Sequence, residues 1–143
     1  MARSVGPVHT TEINQKSGMI ETGESLETLT IVINAAPYGD ERVYNALRLA
    51  RALVSAAVKI RVNIFLLGDA VAAAKKGQKT PEGYPNFEEM LWGLVKKGAE
   101  VVACSTCASA RGLASEDMIE GVQNGTVMQL AHWLKESQGA LSF

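Results

Sequence analysis

Cys104 and Cys107 are the only two cysteines of the chain, separated by Ser105 and Thr106. They stand where an apolar run, Val101-Val102-Ala103, gives way to the small and polar stretch from Ser105 to Gly112. Cysteines used only for packing have no reason to gather at such a junction. A pair at this spacing can close a disulfide, share a sulfur atom, or supply half of a metal site. Structural zinc needs four ligands, usually from a second cysteine or histidine pair. The only histidines are His9 and His132, so no metal is predicted and no cofactor is called for. The thiolate is the species that attacks disulfides or accepts sulfane sulfur. Arg111, just downstream, can place a positive charge beside it.

The elements that must position this pair follow from the pattern of the chain. Its 143 residues are 47% hydrophobic and 20% charged, which fits one domain with a single core. About two-thirds of the unfolded surface can be buried at this length, so no disulfide or metal staple is needed. The net charge is -1. Lysine and arginine form no block, which argues against a nucleic-acid or anionic-membrane partner. No apolar run approaches the ~20 residues of a transmembrane helix. Met1 to Glu24 lacks the apolar core of a secretory signal. A cytoplasmic chain is therefore expected, where a close cysteine pair is catalytic or metal-binding more often than structural.

Residues 1–27 are polar and aperiodic and read as a flexible extension; residues 28–143 read as one α/β domain. Leu29 to Asn34 is a β-branched run typical of a buried strand. Pro37-Tyr38-Gly39-Asp40-Glu41 is a loop, with Asp40 able to cap a helix from Glu41 to about Ala57. The polar residues of that helix form one narrow stripe, which implies burial on more than one side: a subunit interface, or a deeply buried helix within one chain. Lys59 to Leu67 reads as a strand exposed at its start and buried at its end. Gly68-Asp69 opens an alanine-rich helical turn to Ala74, and Lys75 to Pro85 is a long loop. Asn86 with Glu89 resembles a capping box for a helix that Gly98 can end. Glu100 to Cys104 is the third strand. Ile119 to Val122 is the expected fourth strand. Thr126 starts a helix to about Lys135, with Val127, Leu130, Ala131 and Leu134 on one face, and Ala140 to Phe143 is an expected edge strand. Strands alternating with helices predict a parallel sheet covered on both sides.

In such a sheet, ligands gather beyond the carboxyl ends of the strands. Cys104 closes the third strand at that edge, and a helix starting at Ser105 would favour a thiolate there. Pro37, Tyr38 and Gly39 follow the first strand at the same edge, either as part of the site or as a capped turn. Tyr84 belongs to the long loop, which either covers the cysteines or is a surface excursion. Pro37, Tyr38, Gly39, Tyr84 and Gly112 are the expected substrate-contacting residues, and Cys104, Cys107 and Arg111 the reacting group. Glu116 and Asp117 read as solvated turn residues and His132 as a helix-surface residue.

These landmarks, taken in order, resemble the DsrE/DsrF-like family, in particular its small single-domain YchN-type members. The resemblance runs from about Leu29 to Phe143. It rests on Pro37 to Glu41, Asn45 to Ala50, Phe65 to Ala70, Gly77-Gln78-Lys79, Glu82-Gly83-Tyr84, the cysteine pair with Arg111-Gly112, and Leu141-Ser142-Phe143. It implies a three-layer α/β/α sandwich with a mainly parallel five-stranded sheet, and homo-oligomers, commonly trimers or hexamers. Members such as the DsrE and TusD subunits carry sulfur as a cysteine persulfide between donor and acceptor proteins. Their acting cysteine is best matched by Cys104. Cys107 looks like the second cysteine of YchN-type members, which leaves a thiol–disulfide role open beside the carrier role. A non-catalytic regulatory assembly, with cysteines that only pack, is the third reading.

Overall fold

The β-branched run ahead of Pro37 forms the strand on which the sheet is built. The computed structural model describes residues 27–143; apart from Glu27, the expected extension over residues 1–27 lies outside the described residues. Strand β1 (Thr28–Ile33) leads to helix α1 (Arg42–Leu53), strand β2 (Arg61–Leu66) and a 3₁₀ segment, Gly68–Ala74. Helix α2 (Phe87–Lys96), strand β3 (Glu100–Cys104) and the short helix α3 (Ser105–Ala110) follow. Strand β4 (Gln123–Gly125), helix α4 (Val127–Glu136) and strand β5 (Gly139–Ser142) complete the chain.

The five strands lie in the order β4-β3-β2-β1-β5 and every neighbouring pair is parallel. The connections from β1 through β4 step in one direction, and the return from β4 to β5 crosses the sheet the other way. Right-handed crossovers therefore place α1 and α2 on one face and α4 on the opposite face. This is the three-layer α/β/α arrangement.

The two faces are filled differently. Register and strand alternation put Ile31, Ile33, Val62, Ile64, Leu66, Val101 and Ala103 on the α1–α2 side, all fully or almost fully buried. Helix α1 contributes Val43, Ala46, Leu47 and Ala50 to the same core, while Tyr44, Leu49 and Leu53 on its flanks stay half-buried. The α4 side carries Thr30, Asn63, Phe65, Val102 and Cys104. There the Trp133 ring meets Phe65 edge-on, with centroids 6.0 Å apart. Thr30 Oγ1 and Ser137 Oγ share a hydrogen bond of 2.6 Å, which joins the end of α4 to the sheet.

Three expected elements move. Helix α1 stops at Leu53, not near Ala57: Ser55 hydroxyl bonds back to the Ala52 carbonyl, and Lys59 adopts a left-handed φ of 61° that turns the chain into β2. The fourth strand is Gln123–Gly125, not Ile119–Val122. Met118 and Ile119 are buried, but they serve to dock their segment on the 3₁₀ segment, with the Ile119 N–H donating to the Ala74 carbonyl at 2.8 Å. Gly121 then turns the chain, and an edge strand without apolar residues follows. Helix α4 buries Leu130 and Trp133, leaving Val127, Ala131 and Leu134 exposed, so the expected apolar face is not the buried one.

Trp133 and Leu130 are the only buried residues of α4. Replacing Trp133 by Ala should therefore cost about 3–5 kcal/mol, the usual range for deleting a buried large aromatic side chain. Urea unfolding of the purified variant should show this as a lower midpoint with the slope unchanged.

Candidate functional site

Strand β3 ends in Cys104, and the chain turns there directly into α3. Cys104 is both the last strand residue and the N-cap of the helix, with its Sγ accepting the Cys107 N–H at 3.4 Å. A cysteine thus takes the capping place usually held by Ser, Thr, Asp or Asn. Its side chain is buried, 4% exposed, while Cys107 one turn later is half-buried. The two thiols are close enough to influence each other's ionisation, and both are free.

The neighbouring strand supplies the rest. Parallel pairing sets Leu66 beside Ala103, so the chain leaving β2 emerges next to the cysteine turn. Gly68 takes a left-handed φ of 58°, which a glycine tolerates without strain, and its N–H stands near enough to the Cys107 sulfur to favour the thiolate. Asp69, the next residue, holds Arg111: Nε donates to Oδ1 at 2.9 Å and a second guanidinium nitrogen stands 2.8 Å away. A further guanidinium N–H donates to the Cys107 carbonyl at 3.0 Å. Arg111 is thereby fixed against Cys107 rather than against Cys104. Gly112, with a φ of 73°, turns the chain away behind it.

These surroundings divide the two thiols. Burial pushes the Cys104 thiol up, and its bond to Cys107 raises it further. Cys107 is lowered, first by the Cys104 thiol donating to it, then by the Gly68 N–H, with the Arg111 charge adding to both. The surroundings therefore hold Cys104 toward the thiol and Cys107 toward the thiolate.

The other predicted contact residues sit in a separate cluster. Tyr38 has a left-handed φ of 68°, and its ring stacks on Phe87 with centroids 4.3 Å apart. Its hydroxyl donates to Gln78 Oε1 and accepts the Phe87 N–H at 3.0 Å. Gln78 in turn donates to the Ala73 and Lys75 carbonyls, each at 2.8 Å, and Glu88 receives the Gly77 and Gln78 N–H groups. Tyr38 therefore latches the β1–α1 loop to the long loop of residues 75–85. Asp40 is occupied by α1, accepting the Arg42 N–H at 2.9 Å and pairing with its guanidinium at 2.8 Å. Pro37, Gly39 and the exposed Tyr84 make no hydrogen bond to the cysteine segment. The long loop borders a groove of about 390 Å³ lined by Lys76, Gln78, Glu88, Trp92 and Glu120 among others, and neither cysteine lines it. Among the described residues no group of three or more His, Cys, Asp and Glu converges as a metal site; His9 lies outside them. His132 is exposed on α4, and Asp117 accepts the Ala114 N–H at 2.8 Å in a surface turn. Among the described residues no helix is long and apolar enough to cross a membrane.

Gly68 and Asp69 were not among the predicted site residues, although the sequence marks them as the turn at the end of β2. The signal that identifies them is positional: they end a strand adjacent to β3 at the same sheet edge.

The DsrE/DsrF-like family matches residues 27–143. The chain is 47% identical over 122 residues to an uncharacterized protein of Methanopyrus kandleri, covering 85% of this chain and 98% of that one. It is 40% identical to protein YchN of Escherichia coli over 118 residues, covering 82% of this chain and 100% of YchN. The crystal structure of YchN superposes with a TM-score of 0.77 over 82% of this chain and 100% of that one. A protein of unknown function from Methanobacterium thermoautotrophicum, 18% identical, shares the fold with a TM-score of 0.68 over 82% of this chain and 99% of that one. The chain belongs to the DsrE/DsrF-like family.

Arg111 contributes positive charge to the Cys107 site, so its removal should disfavour the thiolate. In Arg111→Gln the Cys107 pKa should rise, and alkylation by iodoacetamide should begin at higher pH than in the unaltered protein. Rates measured across pH with peptide-level detection check this; an unmoved profile would show that the charge has no effect on Cys107.

Proposed function

We propose, with membership of the DsrE/DsrF-like family as the premise, that this protein is a sulfur carrier holding sulfane sulfur as a persulfide on Cys104. The observation that supports this reading is the placement of Cys104. Its buried sulfur receives the Cys107 N–H at 3.4 Å and adjoins a second thiol. A persulfide there would be shielded from bulk water and given a hydrogen bond. The Arg111 cation is held against Cys107, so its charge acts on that second thiol of the pair. Such a protein is loaded by a donor protein and unloaded by an acceptor protein, and it needs no cofactor and no direct contact with nucleic acid. Its work is transfer between partners, so turnover alone would not reveal it.

Incubation with a sulfane-sulfur donor followed by intact-mass analysis tests this reading. One sulfur atom should be added per chain, removed by a thiol reductant, and absent from a Cys104→Ser, Cys107→Ser double variant. An unaltered protein that never gains the sulfur would sink the carrier reading. Quantitative conversion to a Cys104–Cys107 disulfide instead would favour a thiol–disulfide role.

We also propose that the protein is a homo-oligomer, a trimer or hexamer. The supporting observation is an apolar surface on the α4 side of the sheet. Val127 and Met128 are 62% and 65% exposed, and Leu134 on the same helix is exposed as well. Exposed apolar residues grouped in this way mark interaction surfaces. Light scattering should give a mass of three or six chains, and a Val127→Glu, Met128→Glu variant should fall to one. A monomeric unaltered protein, or a variant that keeps its full assembly, would overturn the proposal.

A further inference from the structure

The two cysteines are not equally placed to meet a donor. A persulfide-bearing donor arrives from solvent, and the attacking sulfur must reach its outer sulfur atom in line with the bond that breaks. Cys104 is 4% exposed and closed off by the turn into α3, whereas Cys107 is only half-buried. The fixed groups around the pair also converge on Cys107. Arg111 is pinned there by Asp69 and by the Cys107 carbonyl, and the neighbouring Gly68 N–H and Cys104 thiol favour the Cys107 thiolate. A nucleophile needs such support when it carries negative charge before the reaction.

We propose, resting on the carrier reading, that sulfane sulfur enters the protein at Cys107 and passes from there to Cys104. In the first step the Cys107 thiolate attacks the outer sulfur of an organic persulfide, R–S–SH. A Cys107–sulfur bond forms, the donor S–S bond breaks, and R–S⁻ leaves with the electron pair and takes a proton from water. In the second step Cys104 bonds to the outer sulfur of the Cys107 persulfide, and its thiol proton goes to the departing Cys107 sulfur. The products are a Cys104 persulfide and a Cys107 thiol. No oxidant or reductant is consumed, because the sulfane sulfur keeps its oxidation state throughout. Cys104 caps the turn that holds Cys107, its sulfur accepting the Cys107 N–H at 3.4 Å, and this makes the second step a short transfer. Its direction agrees with the chemistry of the pair: the less basic thiol leaves faster, and Cys107 is the less basic one. Asp69 and Gly68 act as positioning residues, the first through Arg111 and the second through its backbone N–H.

The test is time-resolved loading with glutathione persulfide, with the adduct located by peptide mass. In the unaltered protein sulfur should appear first on the peptide form modified at Cys107 and then accumulate on Cys104. Cys104→Ser, and Cys104→Ala as a check on folding, should still take up one sulfur and keep it on Cys107. Cys107→Ser should load at least about tenfold more slowly, since its remaining thiol is buried and protonated. Normal loading of Cys107→Ser, or no adduct in either Cys104 variant, would overturn entry at Cys107 while leaving the carrier reading intact. An unaltered protein that takes no sulfur would instead overturn the carrier reading itself. Limiting iodoacetamide gives a measure independent of cargo: Cys107 should be alkylated before Cys104, and equal or reversed order would count against the assignment.

Discussion

Parallel pairing of β2 with β3, which sets Leu66 beside Ala103, is the constraint on which the cysteine site depends. Because every strand pair is parallel, all five strands end at one edge of the sheet. Two neighbouring strands therefore release their chains side by side. One release point is Gly68-Asp69 and the other is Cys104. The first supplies a backbone N–H and a carboxylate; the second supplies two thiols and, one helical turn on, a guanidinium. A shift of register between β2 and β3 would separate these groups, since a parallel ladder fixes them by backbone hydrogen bonds rather than by side-chain fit. The full burial of Ile64, Phe65, Leu66, Val101, Val102 and Ala103 holds that register, because slipping it by one residue would exchange the two packed faces.

The central strands were legible in the sequence because they are buried on both faces. Thr28–Ile33, Arg61–Leu66 and Glu100–Cys104 are mostly β-branched and apolar, broken inside β2 by Asn63, a composition typical of internal parallel strands. The edge strand β4 was not legible for the same reason. Gln123, Asn124 and Gly125 have little to bury, and the apolar residues just before them, Met118 and Ile119, anchor a loop instead. Helix α4 shows a related limit. Periodicity identifies an apolar stripe, but it cannot say whether the stripe faces the sheet of its own chain. Here the sheet takes Leu130 and Trp133, and Val127 and Leu134 stay outside.

The cysteine pair and Arg111 were readable as a group, since they share one strand-to-helix junction. Which thiol the arginine serves was not, because that depends on Asp69, forty-two positions away along the chain. The Tyr38 loop illustrates the opposite outcome. Its residues stand at the expected sheet edge, yet its hydrogen bonds go to Gln78 and Phe87 and join two loops to each other. Proximity to a common edge is a property of topology, whereas contact with the cysteines requires a side chain of the right length on the adjacent strand end.

The ion pair between Asp69 and Arg111 also limits how far the site can favour a thiolate. An unpaired guanidinium beside Cys107 would lower its pKa more strongly, but a more stable thiolate is a weaker nucleophile, with reactivity falling as basicity falls. With Asp69 at 2.8 Å, part of the arginine charge is spent on the carboxylate, and the remaining contact to Cys107 is through the carbonyl at 3.0 Å. The arrangement orients the turn and holds the arginine beside Cys107. The buried Cys104 next to it is held toward the thiol and the half-buried Cys107 toward the thiolate, so the two side chains differ in both access and ionisation.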